Sequence, residues 1–438
     1  MSDVDGRGRR ALVVGLGLSG VAAAETLAGV GWEVVAIDAS DAVDADRLRS
    51  QGIDVRAPYT AAVDGVELVV KSPGVPGDAE PVAAARAAGV PIWSEVELAT
   101  RLAPNPVLAI TGTNGKTTTT ELTAHLLRQA GIAAHACGNQ GTPIARLIHE
   151  VPSDDWLVTE CSSFQLEDVD RFHPRGAALL NLAPDHLDRH GTMEAYRSAK
   201  LRIFERMEAG DMAIAPRGTS ATTRGVELRH VSRDGENGAI AWDDGQSLQL
   251  PAVGKVIDWD DAALRGRHNR ENMMVAAALS HHAGAAVDAI RQGLVTFPGV
   301  RHRLEFVAEI DGVVFINDSK ATNPDAAIAA LEAYGPKVRL IAGGRDKGTP
   351  FSTLAVAAAD GAVAAHLIGE AAPALAEAFA AAGLASTLHP DLDHAVQAAR
   401  AAASPGEVVL LAPACASFDQ FLSYEARGDA FCDAVGGL

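Results

Sequence analysis

Lysine is scarce in this chain of 438 residues: seven stand against 30 arginines, at positions 71, 116, 200, 255, 320, 337 and 347. Arginine meets the ordinary need for positive charge. A retained lysine is therefore a candidate for work arginine cannot do, such as compact phosphate contact or amine chemistry. Positive charge as a whole is also in deficit, with a formal net charge of −19. That excludes tracking along nucleic acid or anionic lipid. It leaves room for a local anion site built from backbone amides and one or two cations. Cysteine is rare too: Cys137, Cys161, Cys415 and Cys432 stand far apart, without a CxxC pair or a nearby His/Cys cluster. Neither a disulfide framework nor a zinc site fits, and a reduced cytosol does. No run of 18 apolar residues occurs, so no spanning helix is expected. Arg7, Arg9 and Arg10 precede the apolar stretch 11–24, which superficially resembles a signal peptide. Three spaced glycines within it, and Glu25 after it, read instead as folded protein. A cytoplasmic protein follows.

What is present is a globular composition, 48% hydrophobic and 21% charged, with enough apolar surface for several cores. The length sets a prior of about three domains. Strand-like runs at 10–14, 32–37 and 66–71 alternate with helical spacing at 19–29 and 81–88, giving an α/β unit over residues 1–95. After Pro104 and Pro106 a second unit begins, taken as 96–299. It has strands at 107–111, 155–160 and 177–182 and helices at 118–130, 195–207 and 269–284. Within it, 239–250 reads as a hairpin centred on Asp244-Gly245. A third α/β unit, 300–438, has strands at 313–317, 338–342, 366–369 and 408–412. No internal repeat is visible.

Four constellations carry chemistry. Gly15-Leu16-Gly17-Leu18-Ser19-Gly20 follows a strand and opens a helix, with Asp38 at the end of the next strand. By spacing this is a dinucleotide fingerprint, its carboxylate suited to a ribose hydroxyl or a base N–H. The unit ends near residue 95, however, too early for the second half of a dinucleotide crevice. Ile110-Thr111-Gly112-Thr113-Asn114-Gly115-Lys116-Thr117 lies between a strand and a helix and reads as a phosphate-cradling loop for ATP. In it Lys116 faces the β/γ oxygens and Thr117 holds Mg²⁺. Glu160, at a strand end, and Asp185-His186, after the next strand, can serve that metal. The fourth set is Lys200 on an Arg/Lys-rich helix, whose bland reading is a solvated face, together with three polar turns. These turns are 317–323, 343–348 and 413–417. Each follows a strand of the third unit, and they converge on the edge where open parallel sheets bind ligands.

These residues resemble the Mur ligases, ATP-dependent amide ligases of peptidoglycan precursor synthesis. The likeness rests on Gly112–Thr117, Glu160-Cys161-Ser162-Ser163-Phe164-Gln165, Gly266-Arg267-His268-Asn269, His302-Arg303 and Asn317-Asp318-Ser319-Lys320. Gly15–Gly20, Ser72-Pro73-Gly74, Lys347 and Ala414–Phe421 are similar to members that add D-glutamate to UDP-N-acetylmuramoyl-L-alanine. The resemblance implies three domains: a Rossmann-like domain, a central P-loop ATPase-like domain with a parallel sheet and a small β subsheet, and a second Rossmann-like domain. It implies that the first domain holds UDP rather than NAD, through Gly17, Leu18, Ser19, Asp38, Ser72 and Gly74. Asn139, Ser162 and His186 join that substrate set. ATP would meet Gly112, Thr113, Asn114, Gly115, Lys116, Thr117, Thr118, Asn272, Arg303, Asp318 and Lys320.

The resemblance further implies two Mg²⁺ sites, from Thr117 and Glu160 and from His186 and a carbamylated Lys200. Lys116, Glu160, His186 and Lys200 would be catalytic. Thr322, Lys347, Ser417 and Tyr424 would take D-glutamate, with Tyr424 standing where relatives often have Phe. Ala39-Ser40 replaces a more polar pair beside Asp38. An acyl phosphate would form and be attacked by the amine, with domain closure excluding water. The expected role is in cell-wall biogenesis, hence cell shape and division, by a monomer with no nucleic-acid or membrane partner. Competing readings are another Mur-type or folylpolyglutamate-type ligase, an NAD-dependent oxidoreductase, and a non-catalytic nucleotide-binding scaffold.

Overall fold

Short apolar runs bounded by glycine produce the strands of the first sheet. They are β1 (Arg10–Val14), β2 (Glu33–Ile37), β3 (Asp54–Arg56), β4 (Leu68–Lys71) and β5 (Ile92–Ser94), and all are parallel in the order β3-β2-β1-β4-β5. The computed structural model describes residue 4 and residues 6–40, 45–58, 64–251, 253–346, 348 and 350–438. Val14 pairs with both Ile37 and Lys71, so the chain leaves β1, β2 and β4 at one level. The strand order reverses between β1 and β4, where open sheets form their ligand crevice. The Arg-flanked segment that imitates a signal peptide is β1 and the helix Leu18–Gly29, which buries Ala22, Ala23 and Ala24.

The second sheet comprises β6 (Val107–Thr111), β7 (Ala134–Gly138), β8 (Trp156–Glu160), β9 (Gly176–Leu179), β10 (Met212–Ile214) and β11 (Leu228–Arg229). It is parallel throughout, in the order β11-β10-β9-β6-β8-β7. Sequence reading extended β9 to Leu182. The strand stops at Leu179 because the next residues turn to brace the loop after β6. There the Leu180 amide donates to the Thr111 carbonyl at 2.9 Å, and the Thr113 amide to that of Asn181 at 3.1 Å. The expected helix 195–207 is a helix over Met193–Leu201 followed by a single 3₁₀ turn.

A small third sheet follows, from β12 (Val231–Ser232), β13 (Ala241–Asp243), β14 (Ser247–Leu250) and β15 (Gly254–Asp258). β13 and β14 form the hairpin expected around Asp244-Gly245. Its turn is fixed by the Asp244 carboxylate, which accepts the amides of Gln246 and Ser247.

The chain forms two compact units: residues 1–261 with 271–296, and residues 262–270 with 297–438. In the first, the two parallel sheets share packing. Ala22 of the first helix joins the core that contains Val107, Leu157 and Phe204. Lys71, with its side chain fully buried at the end of β4, pairs with Asp168 at 3.0 Å and Glu167 at 3.5 Å. Removing one partner of such a pair leaves a buried charge uncompensated, which is strongly destabilising.

The second unit is one six-stranded sheet: β16 (Glu305–Ile310), β17 (Val313–Asn317), β18 (Val338–Gly343), β19 (Ala362–Ile368), β20 (Ser386–Leu388) and β21 (Val408–Leu411). The order is β16-β17-β21-β18-β19-β20, with only β16 antiparallel. Leu411 pairs with Asn317 on one side and Ile341 on the other, so three polar turns leave one edge together. Arg427, fully buried on the helix Tyr424–Gly436, ties them. It donates to the Ser319 carbonyl (2.8 Å) and hydroxyl (3.0 Å) and to the carbonyls of Cys415 (3.2 Å), Ala416 (3.3 Å) and Gly343 (3.4 Å). Burial pulls its pKa down to about 10, so it stays charged at neutral pH.

Replacing Arg427 by Ala leaves several buried acceptors without their donor, each costing about 1–3 kcal/mol. Calorimetry of Arg427→Ala should show a lower melting transition for the second unit, and Arg427→Lys, lacking the planar fork, should restore only part of it. An unchanged thermogram for both variants would refute the role.

Candidate active site

Geometry converges on the loop after β6. Gly115 caps the helix Lys116–Gln129 in the left-handed region at φ +86°. A Cβ there would stand 2.5 Å from the Asn272 side-chain oxygen, so only glycine fits. The loop is braced from β9: the Asn181 side chain accepts the Asn114 amide at 2.9 Å and donates to the Asn114 carbonyl at 3.1 Å. Thr113 faces inward, its hydroxyl accepting the Ala183 amide at 3.0 Å and lying 3.1 Å from the Tyr196 hydroxyl. Neither Asn181 nor Tyr196 was singled out from sequence. The signal for Asn181 was an amide residue directly after an apolar strand.

Lys116 folds back on this loop, donating to the carbonyls of Gly112 at 3.0 Å and Thr113 at 2.9 Å. Neutral carbonyls are modest acceptors compared with phosphate oxygens, so these bonds can be exchanged for an anionic ligand. Lys200 approaches the same loop. It is 2% exposed, donates to the Gly112 carbonyl at 2.9 Å and lies 4.7 Å from the Tyr196 ring centroid. The solvated-face reading of Lys200 therefore fails. The helix Met193–Leu201 turns this residue inward while its other charged side chains face solvent. Burial first, and the charge of Lys116 second, lower its pKa to about 7. The side chain thus presents a substantial neutral amine at physiological pH.

Glu160 ends β8 beside β6, and its Oε2 accepts from the Thr117 hydroxyl at 2.7 Å. Its Oε1 accepts from the Asn139 amide at 2.9 Å. These are hard oxygen donors of the kind Mg²⁺ takes. Among the described residues no group of three His, Cys, Asp or Glu could cage a metal alone. The set therefore fits an ion that keeps water and phosphate oxygens as its other ligands. His186 sits in the left-handed region (φ +52°), exposed, 3.6 Å from the Asp185 carboxylate and edge-on to Phe164 at 5.0 Å. Thr118 is buried on the first turn of the phosphate-loop helix. Asn272 is buried at 4% exposure against the loop.

At the first sheet, the glycine loop is closed from β4. The Ser72 hydroxyl donates to the Gly15 carbonyl at 2.9 Å, and a Cβ on Gly20 would lie 1.8 Å from that same oxygen. Gly17 caps the helix and Leu18 projects with 76% exposure, with Ser19 half-buried beside it. Asp38 is committed to the loop itself. Its carboxylate accepts the amides of Leu16 at 2.6 Å and Ser40 at 2.8 Å. Gly74 lies in the turn after Ser72. Ser162 accepts the Gln165 amide as a helix cap, with Gln165 answering the Ser162 amide at 2.9 Å.

In the second unit, Asp318 is buried after β17 and accepts the Leu304 amide at 3.2 Å. Burial raises its pKa to about 6, against the opposing charges of Arg303 and Lys320. Lys320 lies 5.4 Å over the Tyr424 ring, and Ser319 donates to the Tyr424 carbonyl at 2.8 Å. Ser417 is buried, accepting the amides of Gln420 and Phe421 with its carbonyl, while Thr322 is half-buried in the turn after β17. Lys347 lies outside the described residues. Arg427, which organises this edge, was missed because a lone arginine in a helical run gives no sequence signal.

Comparison with known proteins matches two family models: Mur ligase middle domain over residues 110–280, and Mur ligase, glutamate ligase domain, over 302–415. The chain is 42% identical to the UDP-N-acetylmuramoylalanine–D-glutamate ligase of Pelotomaculum thermopropionicum over 446 residues, covering 98% of each. It is likewise 42% identical to the enzyme of that name from Solibacter usitatus, covering 99% of this chain and 98% of that one. Its fold is similar to MurF of Acinetobacter baumannii (TM-score 0.61, 19% identity, covering 92% and 91%) and to the UDP-N-acetylmuramate-alanine ligase MurC of Thermotoga maritima (TM-score 0.58, 20% identity, covering 98% and 99%). With a phosphate loop, a buried amine and a strand-end carboxylate around one point, and relatives matched along nearly its whole length, the chain belongs to the Mur ligase family.

Proposed function

We propose that the chain joins D-glutamate to UDP-N-acetylmuramoyl-L-alanine, forming ADP and phosphate, in the cytoplasmic synthesis of peptidoglycan precursors. The observation that carries this reading is the grouping of Lys116, Lys200 and the Thr117–Glu160 pair around one phosphate loop. The shared name of relatives about 40% identical over nearly the full length supports the choice of substrates. In this reading residues 1–95 hold the UDP substrate, 96–299 hold ATP, and 300–438 take the amino acid and part of ATP. The chain acts as a monomer. No helix among the described residues is long and apolar enough to cross a membrane.

The chemistry follows from charge. A carboxylate oxygen of the nucleotide substrate attacks the γ-phosphorus of ATP, and the bond to the β–γ bridging oxygen breaks to release ADP. Lys116 leaves its loop carbonyls for the β/γ oxygens and stabilises the charge spread over the transferring group. The amine of D-glutamate then attacks the acyl phosphate carbonyl, loses a proton, and phosphate departs with the C–O electron pair. Thr117 and Glu160 would hold one Mg²⁺, and His186 with modified Lys200 the other. Bound metal would supply charge neutralisation at the phosphoryl oxygens. Arg303 and Lys320 would meet phosphate, Asp318 ribose and Asn272 adenine. Gly17, Leu18, Ser19, Asp38, Ser72, Gly74, Asn139, Ser162 and His186 take the UDP substrate. Thr322, Lys347, Ser417 and Tyr424 take D-glutamate.

The deciding assay is phosphate release from ATP with UDP-N-acetylmuramoyl-L-alanine, comparing D-glutamate with L-glutamate, L-alanine, a diamino acid and D-Ala-D-Ala. Turnover confined to D-glutamate is expected. Preference for another amino acid would make the chain a different ligase of the family, and tight NADH binding would sink the reading.

Lys116→Ala should lower ADP formation by about 10²-fold or more, the scale for losing a donor aimed at transition-state charge. Near-normal turnover would refute the phosphate-loop assignment.

The Lys200 amine, neutral above about pH 7, can add to CO₂ and release one proton to give a carbamate. Incorporation of ¹³C-bicarbonate, read by NMR, should therefore rise between pH 6 and 8 and vanish in Lys200→Ala. That variant should regain part of its activity with small carboxylates. Full activity without them would reduce Lys200 to a structural residue.

A further inference from the structure

The short helix Leu187–His190 directly follows His186, yet the proposed chemistry gives Arg189 and His190 no part. Arg189 reaches toward the first sheet, while His190 packs among Ser163, Phe164, Glu167 and Tyr196. The Arg189 guanidinium donates to the Val75 carbonyl at 2.5 Å and has longer contacts to those of Gly74 (3.4 Å) and Pro73 (3.5 Å). Its other face lies 4.3 Å from the Phe164 ring centroid. One guanidinium thus covers every carbonyl of the turn Pro73-Gly74-Val75.

That turn is the outer wall of the glycine loop. The Val75 side chain fills the space beside Gly15, where a Cβ would meet Val75 Cγ2 at 2.5 Å. Ser72, one residue before the turn, holds the Gly15 carbonyl. Lys71, one residue earlier again, pairs with Glu167 and Asp168. Glu167 also meets the His190 ring at 3.3 Å, and His190 donates to or accepts from Ser163 at 2.9 Å while stacking on Phe164 at 5.2 Å. Contacts therefore run in a closed ring: Lys71, Glu167, His190, Phe164, Arg189 and the turn that follows Lys71. His186 sits edge-on to the same Phe164.

We propose that Arg189 is a positioning residue for the nucleotide substrate: it fixes the Pro73–Val75 turn, and so the mouth of the glycine loop, in register with His186 at the phosphoryl-transfer site. This rests on the reading that the first sheet holds the UDP portion. The physical reason for arginine is the fork. Several donors on a rigid plane span carbonyls that a single ammonium could not satisfy together, and the plane stacks on an aromatic ring. Without it the turn keeps its local bonds, the Val75 amide to the Ser72 carbonyl at 3.0 Å and the Ser72 hydroxyl to Gly15, but loses its tie to the His186 segment; bound substrate must then supply that order, which weakens affinity for that substrate alone. ATP meets the loop after β6, which Asn181, Thr113 and Tyr196 brace, whereas the Arg189 guanidinium bonds to the Pro73–Val75 turn.

The test uses the full chain with Arg189→Met and Arg189→Lys, each checked for an unchanged melting profile. Calorimetric titration with UDP-N-acetylmuramoyl-L-alanine, without ATP, reads the binding step, and steady-state kinetics read KM for each substrate. A roughly tenfold rise in Kd and KM for the UDP substrate is expected, with KM for ATP and D-glutamate within about twofold of wild type. Arg189→Lys should fall between wild type and Arg189→Met. Unchanged affinity for the UDP substrate in Arg189→Met would overturn the proposal. So would equal losses for ATP and UDP substrate, or a fall in kcat alone, since a merely structural residue would act without discrimination. If Arg189→Met misfolds, the lysine variant alone decides, by the same split. A wild-type chain that fails to bind the UDP substrate at all would overturn the proposed function, and this inference with it.

Discussion

Parallel pairing brings the carboxyl ends of neighbouring strands to one level, and the loops that carry most candidate groups of this chain hang from such edges. Val14 stands level with Ile37 and Lys71, Ile110 with Glu160 and Ala178, and Leu411 with Asn317 and Ile341. A slip in any of these registers would displace a loop by a full residue and turn its side chains to the other face. The apolar strands fix the register because both faces are buried. The chemistry of the edges is thus inherited from the packing of the cores.

Edges of this kind leave backbone carbonyls that need donors, and this chain meets many of them with cations. Lys116 and Lys200 share the Gly112 carbonyl, Arg427 gathers carbonyls from three turns, and Arg189 covers one turn completely. The two kinds of cation play different parts. A lysine on a carbonyl can leave it for a stronger anionic acceptor, whereas a buried arginine with several simultaneous bonds cannot leave without losing all of them. Lys116 and Lys200 therefore sit where a ligand arrives, and Arg427 and Arg189 where a loop must hold still. The division agrees with the bias of the composition, in which lysine is used sparingly.

Much of this was legible in the residues. Apolar runs located ten of the 21 described strands, all interior to their sheets, the Asp-Gly pair located the hairpin, and the loop Gly112–Thr117 marked its own ligand class. Other features were hidden for physical reasons. The strand Ala134–Gly138 carries His and Cys in place of a β-branched run, and Glu305–Ile310 is an edge strand with only partial burial, so neither shows a clear period. β9 ends early because Leu180 and Asn181 turn to bond the loop after β6, a tertiary contact that periodicity cannot register. The resemblance places Lys200 at the metal site although its charged neighbours suggest a solvated face, and only tertiary packing turns it inward. Lys71 gave no sign of its buried pair, whose partners lie almost a hundred residues away.

The uneven placement of the lysines has a practical side. Lys71 and Lys200 are shielded from solvent, while Lys255 and Lys337 are exposed, one in each compact unit. With Lys347 replaced by arginine and the terminal amine blocked, amine-directed reagents would find, among the described lysines, one exposed handle in each unit. A pair of dyes coupled there would turn a compositional bias into a ruler for movement between the two units.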